Sequence, residues 1–195
     1  SNLEMGVRSI MYDYSPAESV RNMTHDKLNV VANNVGHRRW IINPFMEKSA
    51  YGSVNAPSIK DTQFPYVVGT SHKTIYFQKN PTNAKLGVIA YPYHNYPAKY
   101  YMAGSILSIS ILTDQKNFFG NRNVDYAKAT IVVTERSSGT KQKIGNIRYE
   151  NMGVPNHIQF SFDDLKLNVI YDVKLSNVMV NGQPKEYSYW FKVGD

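Results

Sequence analysis

The chain has no cysteine among its 195 residues. That absence removes disulfide frameworks, cysteine-ligated zinc, iron–sulfur clusters and thiol nucleophiles together. Any chemistry must then come from histidine, carboxylate, hydroxyl or lysine, or from a metal held by nitrogen and oxygen. Acidic residues are also the minority, 15 against 22 basic ones, for a formal charge of +7. No apolar run approaches the ~18 residues that a membrane span needs. Residues 1–5 show neither the basic nor the apolar part of a targeting signal. There is no Gly-x-Ser-x-Gly turn, no phosphate-cradling glycine loop and no His-Glu-x-x-His, which argues against the common hydrolase and nucleotide chemistries. The length suits one ordinary domain or two small ones, long enough to bury a real core.

What is present divides the chain. From Leu3 to Ile42 the apolar residues come at helical spacing: Leu3, Val7, Ile10 and Met11, then Leu28, Val31 and Val35, then Trp40 and Ile41. This predicts two or three short helices. Asn43-Pro44 ends the last one, because the residue before a proline is pushed out of the helical region. Beyond Pro44, β-branched and aromatic runs alternate with turn formers and predict strands at 66–69, 74–78, 86–91, 106–113, 129–135, 143–149, 157–162, 169–180 and 186–193. Ile109 and Ile111, like Tyr187, Tyr189 and Phe191, would each share a face. Ser138-Gly139 and Asn181-Gly182 are hairpin signals, since Gly and Asn tolerate positive φ. An aromatic and proline-rich stretch, Ala90 to Met102, reads as a defined connection, with a domain boundary near Pro97, giving domains 1–98 and 99–195. Charge follows a related division: residues 1–48 carry a net of +1, and the strand-rich remainder +6. That excess is scattered rather than striped, which fits polyanionic surfaces better than specific nucleic-acid binding.

The most specific stretch is Val35-Gly36-His37-Arg38-Arg39-Trp40-Ile41-Ile42-Asn43-Pro44. Here a glycine precedes a short helix that places His37, Trp40 and Ile41 on one face and sends Arg38 and Arg39 elsewhere. On residue type alone, a lone histidine beside a tryptophan is more often a packed residue than a ligand. The stretch resembles the Gly-His motif of the CAP superfamily (cysteine-rich secretory proteins, antigen 5 and pathogenesis-related proteins; the SCP domain). It is closest in form to the branch found in secreted and surface proteins of Gram-positive bacteria. Ser1-Asn2-Leu3 with residues 9–13 sits where that branch has a short helix. Ala90-Tyr91-Pro92 with Asn95-Tyr96-Pro97 resembles its aromatic-proline segment, and residues 108–111 and 187–191 resemble a β-sandwich extension of some members.

The resemblance implies an α+β chain: an α-β-α sandwich, here lacking its N-terminal helices, followed by a mainly antiparallel β-sandwich-like module. It implies a cleft lined by two histidines and two acidic residues, which in some members holds zinc. His37 matches one histidine of that set, and Asp13 takes the place of an acidic member. The other histidine would lie upstream, and the first glutamate at about Ser1. The expected ligand cleft is therefore His37, Trp40 and Arg38, with His37 and Asp13 the catalytic candidates and His37 the metal ligand. A His25–His37 ligand pair is a further option. Asp163-Asp164 reads as a solvated turn, and His72, His94 and His157 as surface or packing residues. Two functions follow as expectations. One is a non-enzymatic, extracellular or surface-attached binding protein for cell-wall glycan, teichoic acid or a protein ligand. The other is a metal-dependent hydrolase or peptidase around His37, with zinc activating water.

Overall fold

The structure, a computed structural model, describes residues 2–8, 15–27, 29, 31, 33–58, 63–76 and 80–195. The N-terminal run is a strand, β1 (Asn2–Arg8), not a helix. Leu3, Met5 and Val7 alternate at period two just as Leu3 and Val7 repeat at period four, and pairing decides between the templates. β1 lies antiparallel to β3 (Tyr66–Tyr76), which pairs on its other side with β2 (Met46–Pro57).

Between β1 and β2 come two helices. α1 (Pro16–His25) starts with Ser15, whose Oγ accepts the Glu18 N–H at 3.2 Å, and with proline at its first position. It ends where Asp26 turns left-handed at φ 57°. α2 (Gly36–Ile41) has Val35 at its N-cap, which offers no side-chain bond.

The rest is strand. β4 (Gly87–Tyr91), β6 (Leu107–Leu112), β10 (His157–Phe162) and β9 (Ile144–Glu150) form one antiparallel sheet in the order β4-β6-β10-β9. A second contains β5 (His94–Pro97), β12 (Gln183–Gly194), β11 (Ile170–Val180) and β7 (Val124–Asp125), with β8 (Thr130–Glu135) also paired to β11. Tyr91-Pro92-Tyr93 carries the chain from one sheet to the other. β4 and β5 are thus sandwich strands, although both lie before the expected boundary at residue 98. The two sheets enclose one apolar core, with Leu107, Ile109, Ile111, Ile158 and Phe160 facing Tyr171, Val173, Leu175, Phe191 and Val193.

The expected α+β class, an incomplete α-β-α sandwich, is corrected by these sheets. The described chain is mostly β, with three sheets that are almost wholly antiparallel and two α-helices. Both helices lie on one side of the three-stranded sheet. The face of that sheet toward α1 is polar: Glu4 accepts from Ser19 Oγ at 2.8 Å and from Asn22 Nδ2 at 3.1 Å. The opposite face carries Leu3, Met5, Val7 and Val54, which are 57–82% exposed. No helix among the described residues is long and apolar enough to cross a membrane.

Candidate functional site

The Gly-His stretch lies where the helices meet the sandwich. Asp26 supplies the cap that α2's own sequence lacks. Its Oδ2 accepts the N–H groups of His37 at 2.7 Å and Arg38 at 3.2 Å, and its Oδ1 takes His37 Nδ1 at 2.7 Å. A carboxylate there satisfies orphan donors and complements the helix dipole. The same contact raises the pKa of His37: the Asp26 hydrogen bond is the main cause, with burial opposing it, and a backbone bond to Leu3 and the charge of Glu4 also contribute.

The arginines expected to point elsewhere point inward. Arg38 is fully buried and fans its donors onto carbonyls: Nε to Thr24, Nη2 to His25 at 2.7 Å and Nη1 to Ile106, with Ser108 Oγ at 3.3 Å. Its guanidinium lies 3.8 Å from the centre of the Tyr91 ring. Burial brings its pKa down to about 10, still far above neutrality, so the charge stays. Arg39, 1% exposed, pairs with Glu150 on β9 and donates to Asn34 Oδ1 at 3.1 Å. Trp40 packs on Gly153, where a Cβ would come within 3.0 Å of the indole and φ is +85°. The motif therefore clamps the helices to β6, β9 and the loop after β9.

Of the sequence candidates, His37, Arg38 and Trp40 are adjacent in this clamp, and Asp13 lies outside the described residues. His25 does not join His37; its Nε2 bonds the Tyr100 carbonyl. Sequence reasoning passed over Asp26 and Glu4, because nothing in an eleven-residue separation or a lone strand glutamate marks either as a neighbour of His37. Among the described residues, the donors around His37 are engaged with protein partners. One ring nitrogen is committed to Asp26 and the ring also bonds the Leu3 backbone, while Glu4 is occupied by Ser19 and Asn22. Among the described residues no three histidine or acidic side chains converge on a metal position.

A cleft of about 680 Å³ opens on the other side of α1, between its first turns, β2, β3 and the Tyr96–Tyr100 segment. Its walls include Arg21, Tyr51, His72, Tyr96 and Tyr100. Among the described residues, three polar atoms of these side chains are sealed from solvent without a hydrogen-bond partner: Arg21 Nε, the Tyr51 hydroxyl and His72 Nδ1. Buried polar atoms are nearly always paired, and an exception calls for an explanation. His72 is 6% exposed, and burial lowers its pKa. His72, expected to be a surface or packing residue, is buried at the wall of this cleft, paired with Tyr51 across β2 and β3. No protein-family model matches the chain, and no curated protein matches it.

Proposed function

We propose that the chain is a non-enzymatic binding protein of the extracellular or cell-surface kind, and that its ligand is an extracellular glycan held in the cleft beside α1. The carrying observation is a cleft of about 680 Å³ walled by Tyr51, Tyr96 and Tyr100 with Arg21 and His72 beside them, a volume typical of ligand sites. Tyrosine rings offer an apolar face to a sugar ring while a hydroxyl remains for hydrogen bonding. The +6 excess beyond residue 48 supports attraction to polyanionic wall polymers, and the Gly36–Pro44 motif supports a CAP-like relationship. The clamp geometry around His37 supports a structural part for that motif. Calorimetric titration with oligosaccharides tests the reading: the expected result is saturable binding that is lost in Tyr51→Ala and retained in His37→Asn. Binding that survives Tyr51→Ala unchanged refutes it.

A further inference from the structure

The edges of the two sandwich sheets are protected unequally. An edge strand offers a row of unpaired N–H and C=O groups to any extended chain, so proteins cover, shorten, bend or charge such strands. β8 pairs with β11 and also meets residues 140–142, the Gln142 N–H donating to the Val133 carbonyl at 2.8 Å. β5 is four residues long and ends in Pro97. β9 is the end strand of its sheet, and among the described residues it pairs only with β10.

The first half of β9 is defended by a bulge. Its register against β10 shifts between Gln159 and Ser161, and Asn146 sits there at φ 53°, its Nδ2 donating to Ser161 Oγ at 2.8 Å. Such a kink turns an edge away from pairing. Residues 147–150 carry no bulge and no proline, although Ile147 and Tyr149 are 51% and 53% exposed. These two alternate with Arg148 and share a face. Tyr149 lies opposite Ile158, a core residue, so that face overhangs the edge of the sandwich core. The other face is basic. Glu150 is taken by Arg39, whose pKa burial brings down to about 10; Asp26 opposes that shift and the nearby charge of Arg148 adds to it. Two cations thus stand beside one carboxylate. The chain as a whole is +7, so a second copy meets this edge with like charge where an acidic segment meets it with opposite charge.

We infer that β9 is a docking edge for an extended acidic segment of a partner protein. The segment adds as a fifth strand beyond β9, its apolar side chains covering Ile147 and Tyr149 and its carboxylates, alternating with them, lying beside Arg148.

Fluorescence anisotropy tests this on the full chain with a labelled seven-residue peptide that alternates glutamate and valine. Beside it stand a lysine–valine counterpart and the glutamate–valine peptide N-methylated at every backbone amide. The first peptide should bind at least about tenfold more tightly than either control, because the lysine peptide brings like charge to Arg148 and the methylated one has no main-chain donors. Ile147→Ser should weaken its binding about fivefold. Arg148→Glu should make the chain prefer the lysine peptide, and Val54→Ser, on the three-stranded sheet, should change neither affinity. Equal binding of the methylated peptide and its parent overturns strand addition. Equal binding of the two charged peptides, or no binding of any peptide, overturns the acidic partner. A dimer in sedimentation equilibrium that Ile147→Ser dissolves overturns it too, by giving the edge to a second copy.

Discussion

Two buried regions of this molecule are built by opposite means. Between the two sandwich sheets the packed side chains are mostly apolar or aromatic, from Leu107 and Phe160 to Leu175 and Phe191. Between the helices and the β4-β6-β10-β9 sheet the buried residues include Arg38, Arg39, Ser108, His157 and Gln159. One strand serves both: in β6, Leu107, Ile109 and Ile111 enter the apolar core, while Ser108, between them, meets Arg38. Apolar burial is roughly proportional to area and has no direction, so that core tolerates changes of shape. The polar layer depends on each donor finding its acceptor, so it has one good arrangement and costly alternatives. Gln159 Nε2 reaching the Asn33 carbonyl across 126 residues of chain shows how specific the match is.

Conservative substitutions should separate the two regions most sharply. Arg38→Lys keeps the charge but cannot fan onto three carbonyls, leaving buried acceptors unpaired, and should cost about 3 kcal/mol or more. Phe160→Leu, a change within apolar side chains at a fully buried position, should cost about 1.5 kcal/mol or less. Denaturant unfolding of both variants measures this; equal losses would erase the distinction between the layers.

Acid should strike the polar layer next. His157 is 1% exposed, and burial with the charges of Arg39 and Arg38 holds its pKa well below 6.5 against an opposing contact from the Gln159 side chain. A base whose folded pKa is depressed binds fewer protons when folded. Its contribution is complete above the unfolded value near 6.5 and is lost as pH falls below it, by up to about 1.4 kcal/mol per pH unit. His25 and His72 shift the same way, mainly through burial. His37 has the opposite sign: its pKa is raised, so its contribution is present below about 6.5 and fades as pH rises through the elevated value. The native chain should therefore lose stability between pH 6.5 and 5.5, and His157→Phe should lose about 1 kcal/mol less over that unit. Parallel pH profiles for the two proteins would remove His157 from the account.

The smallest effect belongs to the three-stranded sheet, whose polar face is inside and apolar face outside. Val54→Lys, at a residue 72% exposed, should change stability by no more than about 0.5 kcal/mol while lowering the binding of an apolar fluorescent dye. A loss as large as that of Arg38→Lys would mean that this face is not open.

Much of the strand pattern was legible because it is local. The alternation of Ile109 with Ile111 and of Tyr189 with Phe191 does place each pair in the core. Asn181-Gly182 does join β11 to β12, with φ of 49° and 77°. The Gly-His helix was also readable, but not its orientation. Long charged side chains default to solvent when only type and spacing are known, and nothing near Arg38 in sequence reveals that Ile106 and Tyr91 await it. The cleft was illegible for the same reason, since Arg21, Tyr51 and His72 come from a helix and two strands.

By itself the sequence determined the absence of thiol chemistry, the excess of positive charge, the turns and the two-residue rhythm of the sandwich strands, because these follow from side-chain identity and near neighbours. Tertiary structure alone decided that residues 2–8 pair as a strand, that Asp26 caps a helix eleven residues away, that two arginines are buried, and that Arg21, Tyr51 and His72 share one cleft. Each depends on a partner distant in the chain: a hydrogen bond or a buried charge is worth its energy only where folding has removed water and brought the matching atom within reach.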